Sequence, residues 1–293
     1  MKYTDLLALW LEDKKQYVRN STYCNYSCLI KSHFLEYFND IDVENITKKD
    51  VKKFTLDLQL KNMKSGSIGN IQKILKQSFD FAMELDYISQ NPYIKIKSIQ
   101  SSPKEIQIFT KDEMGKILNC AAFPIYANFV EIGYRTGMRI GEIMVLKWED
   151  IDFNNNFLSV KRTFSKYLDG KPIICEPKTR KSMRRIDLDN RCMEIFNAIP
   201  HKNEYVFSSK IGNFLSYSII TKHFKEMCEK ANVPYRSFHT LRHTHASVLL
   251  ANGVHPKIVQ ERLGHSRVGI TLDTYSHLLP GMQKVAVDVL NKL

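Results

Sequence analysis

Six side chains, met in the order Arg139, Lys178, His239, Arg242, His265 and Tyr275, could together break and remake a phosphodiester. That chemistry needs a nucleophile, positive charge on the non-bridging oxygens and a proton for the departing sugar oxygen. Tyr275, in the run Thr271-Leu-Asp-Thr-Tyr-Ser-His-Leu278, is the candidate nucleophile. A phenol titrates near pH ~10, so attack at neutral pH requires a proton acceptor or a cationic field beside it, and His239 could supply either. Arginine donates paired hydrogen bonds to phosphate and stays charged at any working pH. Arg139, in Thr136-Gly-Met-Arg-Ile-Gly-Glu142, and Arg242, in Phe238-His-Thr-Leu-Arg-His243, fit that role. Lys178, in Pro177-Lys-Thr179, could protonate the leaving oxygen as a general acid, although Arg180 and Lys181 lie close enough to be mistaken for it.

These side chains need elements to aim them. His239 and Arg242 are three residues apart, so a helix through them presents both tips to one site. Gly137 and Gly141 flank Arg139 and would let a helix carrying it approach a neighbouring backbone closely. Glu142 is then placed to orient the Arg139 guanidinium or to brace the fold, not to act as an acid or base. Thr110 and Glu113 form a capping-box pattern, and helical spacing runs over 111–121 and 125–147. The stretch Ile151–Val160 changes to alternation around an Asn turn, which predicts a small antiparallel sheet over about 150–187. Helices return after Asp189, and the last segment, Met282 to Leu293, reads as a short amphipathic helix. Upstream, residues 1 to about 95 read as four helices, with Asn20-Ser21, Thr47 and Ser65 as candidate N-caps. The Pro- and Ser-bearing stretch from Ser89 to Lys104 lacks helical periodicity. The organisation predicted is therefore an all-α unit over 1–98, a linker over 99–108 and a mixed α/β unit over 109–293, mainly α with a small antiparallel β-sheet.

Charge points to the partner. The chain has 43 Lys and Arg against 31 Asp and Glu, a formal +12, so its surface should attract a polyanion. Residues 1–100 hold 15 basic and 12 acidic side chains, leaving 28 and 19 for the rest, so the second part is the more basic. Lysines 48, 49, 52, 53, 61, 64, 73 and 76 gather on the third and fourth predicted helices, a face that could track phosphates. Six scattered cysteines without Cys-x-x-Cys suit reduced thiols in the cytosol. Asp5, Glu12 and Asp13 break the opening apolar run, unlike a secretory leader, and no run reaches membrane-spanning length. A cytoplasmic protein whose polyanion is nucleic acid, not lipid, is expected.

Each residue has a plainer reading. A lone Tyr275 or His265 would usually be a packed or surface side chain, and only the ordered set reverses that. His239, His243 and His245 form the densest histidine group, yet no His-Glu-x-x-His, paired Cys or acidic third ligand accompanies them, so no metal site is read there. His243 and His245 are expected to pack or hydrogen-bond internally, Trp10 and Trp148 to lie in core, and His277 has no assigned role.

With these residues in place, the sequence resembles the tyrosine recombinase, or phage integrase, family over nearly its whole length. The family order of Arg, Lys, His-x-x-Arg, His or Trp, then Tyr is matched by Arg139, Lys178, His239, Arg242, His265 and Tyr275. The ten-residue step from His265 to Tyr275 is similar to that of phage and conjugative-element integrases. The resemblance implies a SAM-like core-binding domain and a catalytic domain clamping double-stranded DNA at a specific recombination site. It implies a 3′-phosphotyrosine intermediate, a homo-tetramer on paired sites, and a C-terminal helix docking on a neighbouring subunit through Val285, Val289, Leu290 and Leu293. An accessory DNA-bending or directionality factor is a further implied partner, and neither cofactor nor metal is expected. Integration and excision of a mobile element is the task implied first; inversion, dimer resolution, a type IB topoisomerase and a non-cutting DNA-binding regulator are the alternatives. Many such integrases carry an extra N-terminal arm-binding domain, whereas this sequence opens on the core-binding helices.

Overall fold

In the computed structural model, residues 1–93, 107–168, 171–176, 182–269 and 290–291 are described. The chain divides into two units, Met1–Lys104 and Glu105–Leu293, and no described helix is long and apolar enough to cross a membrane.

The first unit is built from α1 (Tyr3–Tyr17), α2 (Asn20–Leu29), α3 (Lys48–Leu60) and α4 (Ser65–Glu84), with α2 running into a π-helical turn at Ile30–Phe34. Tyr3, Leu6, Leu7 and Trp10 recur at helical spacing and are fully buried, each such apolar side chain contributing roughly 1.5–3 kcal/mol. They meet Phe34, Phe38, Phe54 and Phe79 in one core, and the Tyr3 hydroxyl shares a 2.7 Å hydrogen bond with Ser78. Thr47 caps α3 in a reciprocal box with Asp50. The other predicted caps sit one step inside their helices, because Arg19 and Lys64 occupy the N-cap positions. Neither Asn20, Ser21 nor Ser65 has the acidic residue three positions on that makes Thr47 a reciprocal cap. All eight lysines of the predicted basic face are exposed.

The second unit begins with α5 (Lys111–Asn119), opened by the Thr110–Glu113 capping box. The single helix expected over 125–147 is two: α6 (Pro124–Thr136) and the short α7 (Ile140–Met144). The break falls at Gly137, whose φ of 65° is left-handed and ends α6, the conformation glycine adopts without a Cβ penalty. Strands β1 (Ile151–Asp152), β2 (Phe157–Val160) and β5 (Arg184–Asp187) form an antiparallel sheet in the order β1-β2-β5, while β3 (Thr163–Leu168) and β4 (Lys171–Cys175) pair as a separate hairpin. Among the described residues two sheets thus stand where one was expected. The strand path is interrupted after β2, where Lys161 and Arg162 turn to the carboxylates of Glu149 and Asp150.

Helices α8 (Asn190–Ala198), α9 (Tyr217–Lys230), α10 (His239–Ala251) and α11 (Pro256–Leu263) complete the described unit. Helix α10 buries residues around most of its circumference, including Leu241, Arg242, Thr244, His245, Ala246 and Leu250, the pattern of a central helix. The core around it includes Phe129, Phe207, Phe224 and Phe238. Lys178, Tyr275, His277 and most of the predicted C-terminal helix lie outside the described residues.

Candidate active site

The break after α6 sets the first arginine. Arg139 is not carried along a helix; it is the N-cap of α7, in extended backbone, with its side chain about one-third exposed. Gly141 makes the close approach possible, since a Cβ there would lie 2.5 Å from the Phe164 carbonyl oxygen on β3. The Glu142 carboxylate is almost wholly buried and accepts hydrogen bonds from the Arg139 backbone N–H and Nη1, both at 2.8 Å. It also accepts from Arg184 Nη1 at 3.1 Å and Nη2 at 2.9 Å. Burial alone would raise its pKa, but the charges and hydrogen bonds of Arg184 and Arg139 overcome this and lower it to about 2.

Arg242 sits on α10, buried, and donates from Nη1 to the Gly137 carbonyl at 2.8 Å and from Nη2 to the Leu263 carbonyl at 2.7 Å. One guanidinium therefore ties the end of α6 to the end of α11. His265 follows Gly264, which is left-handed at φ 68° and closes α11. Its backbone is held on both sides by Gln260, whose carbonyl accepts from His265 N–H and whose side-chain amide donates to the His265 carbonyl. Arg262 packs beneath this turn, donating to His245 Nε2 at 3.0 Å and to the Asp187 and Arg135 carbonyls. With His245 Nδ1 on the Tyr134 carbonyl at 3.0 Å, both ring nitrogens are used inside the fold, the tautomer being set by the carbonyl partner.

The electrostatics show which groups share one space. His239 is lowered to about 4, by burial first and then by His243, Arg242 and Arg139. His265 is lowered to about 3 by burial, Arg242, Arg139, Arg184 and His239. Both rings are neutral at pH 7, and His239 meets His243 edge to face at 4.8 Å. Arg139, His239, Arg242 and His265 are thus gathered in the second unit, while nothing is described for Lys178 or Tyr275. Among the described residues no group of three or more His, Cys, Asp or Glu could hold a metal ion.

Sequence reasoning passed over Arg184, Gln260 and Arg262. A signal existed for the first: in β5, Arg184 shares the face of the buried Ile186, and an arginine on a core-facing strand position demands a buried carboxylate.

Comparison with known proteins bears on the fold and the family. The description "Phage integrase, N-terminal SAM-like domain" matches residues 2–59. The ICEBs1 integrase of Bacillus subtilis (strain 168) is 27% identical over 98% of this chain and 81% of its own length. A Tn1549 transposon integrase in complex with a circular intermediate DNA superposes with a TM-score of 0.84 at 21% identity, covering 100% of both chains. A lambda integrase from a tetramer bound to a Holliday junction gives 0.73 at 20% identity, over 92% of this chain and 76% of that one. With the model of the Phage integrase family matching residues 107–281, more than half of its length, the chain belongs to that family.

Proposed function

We propose that this chain integrates and excises a mobile element, acting as a site-specific recombinase that cuts DNA through a 3′-phosphotyrosine at Tyr275. The observation that carries the reading is the gathering of four side chains by one helix: Arg242, three residues after His239 on α10, holds the carbonyls of Gly137, just before Arg139, and of Leu263, just before the His265 turn. Membership of the family and likeness to an integrase over 98% of the chain support the task.

In the proposed step the Tyr275 oxygen forms a bond to phosphorus, the bond from phosphorus to the 5′ oxygen breaks, and the phenolic proton passes to an acceptor. His239 fits that acceptor, because a ring neutral at pH 7 takes a proton, whereas it offers no cationic field. Arg139 and Arg242 neutralise the non-bridging oxygens, His265 donates a hydrogen bond to one of them, and Lys178 gives the 5′ oxygen its proton. Reversal by a 5′ hydroxyl of the partner strand rejoins DNA without an external energy source. Double-stranded DNA is the partner, tracked by the exposed lysines of α3 and α4, and the working assembly is a tetramer on paired sites, a reading supported by the lambda integrase tetramer bound to a Holliday junction.

The test is incubation with a nicked half-site of the element's own end sequence in EDTA, read on a denaturing gel. A covalent protein–DNA band that disappears in Tyr275→Phe is expected, and a band retained in that variant overturns the assignment.

A further inference from the structure

We propose that Arg184 is a positioning residue that locks Arg139 and the His265 turn into one catalytic geometry; this rests on the recombinase reading above. The guanidinium is almost wholly buried, and its hydrogen bonds go to the protein's own carboxylate and carbonyl oxygens. All three of its nitrogens are engaged. Nη1 and Nη2 grip both oxygens of Glu142, the carboxylate that holds Arg139 by its backbone and its side chain. Nε donates to the Arg262 carbonyl at 2.6 Å, three residues before His265, and Nη1 also reaches the Ser182 carbonyl at 3.1 Å. Ser182, four residues after Lys178, in turn donates its hydroxyl to the Gly264 carbonyl at 3.5 Å.

One side chain therefore joins the Arg139 cap, the entry to β5 and the end of α11. Its own backbone is fixed, since Arg184 pairs with Val160 across β2 and β5. Only arginine can do this, because its planar fork serves several acceptors in fixed directions, while lysine offers a single compact ammonium. A carboxylate held from one side by Arg139 alone would leave that arginine free to swing with it. Misplacement by about 1 Å at a reacting centre costs on the order of 100-fold in rate.

The test is single-turnover cleavage of the nicked half-site by the full chain, with DNA affinity read in parallel. Arg184→Lys should cleave on the order of 100-fold more slowly while binding the half-site within about 3-fold of wild type, the mark of an effect on the transition state and not on binding. Since the proposed action runs through Arg139, the two effects should not multiply: in an Arg139→Lys background, Arg184→Lys should slow cleavage by less than about 3-fold more. Should Arg184→Lys not fold, the pair Glu142→Gln/Arg184→Gln leaves no buried charge without its counter-charge and should show the same slow cleavage with retained binding. Wild-type cleavage rates in either variant, or fully multiplicative losses with Arg139→Lys, overturn the role of Arg184. Failure of the wild-type chain to form the adduct overturns the recombinase reading instead, a result that involves no Arg184 variant.

Discussion

Arg139 and Arg242 share a proposed role but not a structural situation, and the difference is measurable. Arg242 is buried and holds the Gly137 and Leu263 carbonyls, so Arg242→Lys should lower both cleavage and stability, the latter by roughly 1–3 kcal/mol for the orphaned acceptors. Arg139 is partly exposed, and Arg139→Lys should slow cleavage by about 100-fold or more with a thermal midpoint close to wild type. Equal loss of stability in the two variants would contradict this division. The histidines give a second prediction. An unfolded histidine titrates near ~6.5, whereas folded His239 is lowered to about 4 and His245 and His265 to about 3. Below about 6.5 the unfolded chain binds protons that the folded chain refuses, so stability falls as pH drops and goes on falling toward the folded values. Glu142, ionised in both states at those upper pH values, loses its contribution only below 4.5 and toward about 2. A denaturation midpoint that does not decline from pH 7 to pH 5 would contradict neutral, buried histidines.

At the scale of elements, the short α7 and its approach to β3 decide where Arg139 points. A Cβ on Gly141 would press on the backbone oxygen of Phe164, which cannot swing aside as a side chain can. Gly141→Ala should therefore destabilise the chain by about 1–3 kcal/mol, measured by urea unfolding, and should slow cleavage as well; a variant as stable as wild type would show that α7 has room to move. The elements also show what could be read in advance. Thr47 and Thr110 announce helix starts because each has its acidic partner three positions on, whereas Asn20 and Ser65 have the cap residue without the partner. The break of the predicted 125–147 helix was written in Gly137, but a glycine in a periodic run is equally compatible with a continuous helix. The left-handed turn is held by a long-range contact, from Arg242 to the Gly137 carbonyl, that local periodicity does not report. The break between the two sheets is likewise accompanied by ion pairs from Lys161 and Arg162 back to Glu149 and Asp150, which strand alternation does not encode.

On the scale of the whole molecule, a formal charge of +12 and eight exposed lysines on α3, α4 and the turn between them frame the expected partner. DNA affinity should fall linearly with the logarithm of salt concentration, and replacing Lys52 and Lys53 by Gln should reduce the slope by about 0.9 for each phosphate contact removed; an unchanged slope would mean that this face does not track the backbone. The mainly α architecture with small antiparallel sheets was legible because period and turn residues report it locally. The bracing of the site by Gln260 and Arg262 was not, since each acts through main-chain carbonyls far away in sequence or hidden in a turn. The central claim, covalent catalysis by a tyrosine whose partners are Arg139, His239, Arg242 and His265, is tested most directly by locating the bond. Trapped protein–DNA adduct from a nicked half-site, digested with trypsin and nuclease and sequenced by mass spectrometry, should carry a 3′-linked nucleotide on Tyr275. A nucleotide linked through its 5′ phosphate, or attached to any other residue, would contradict the account.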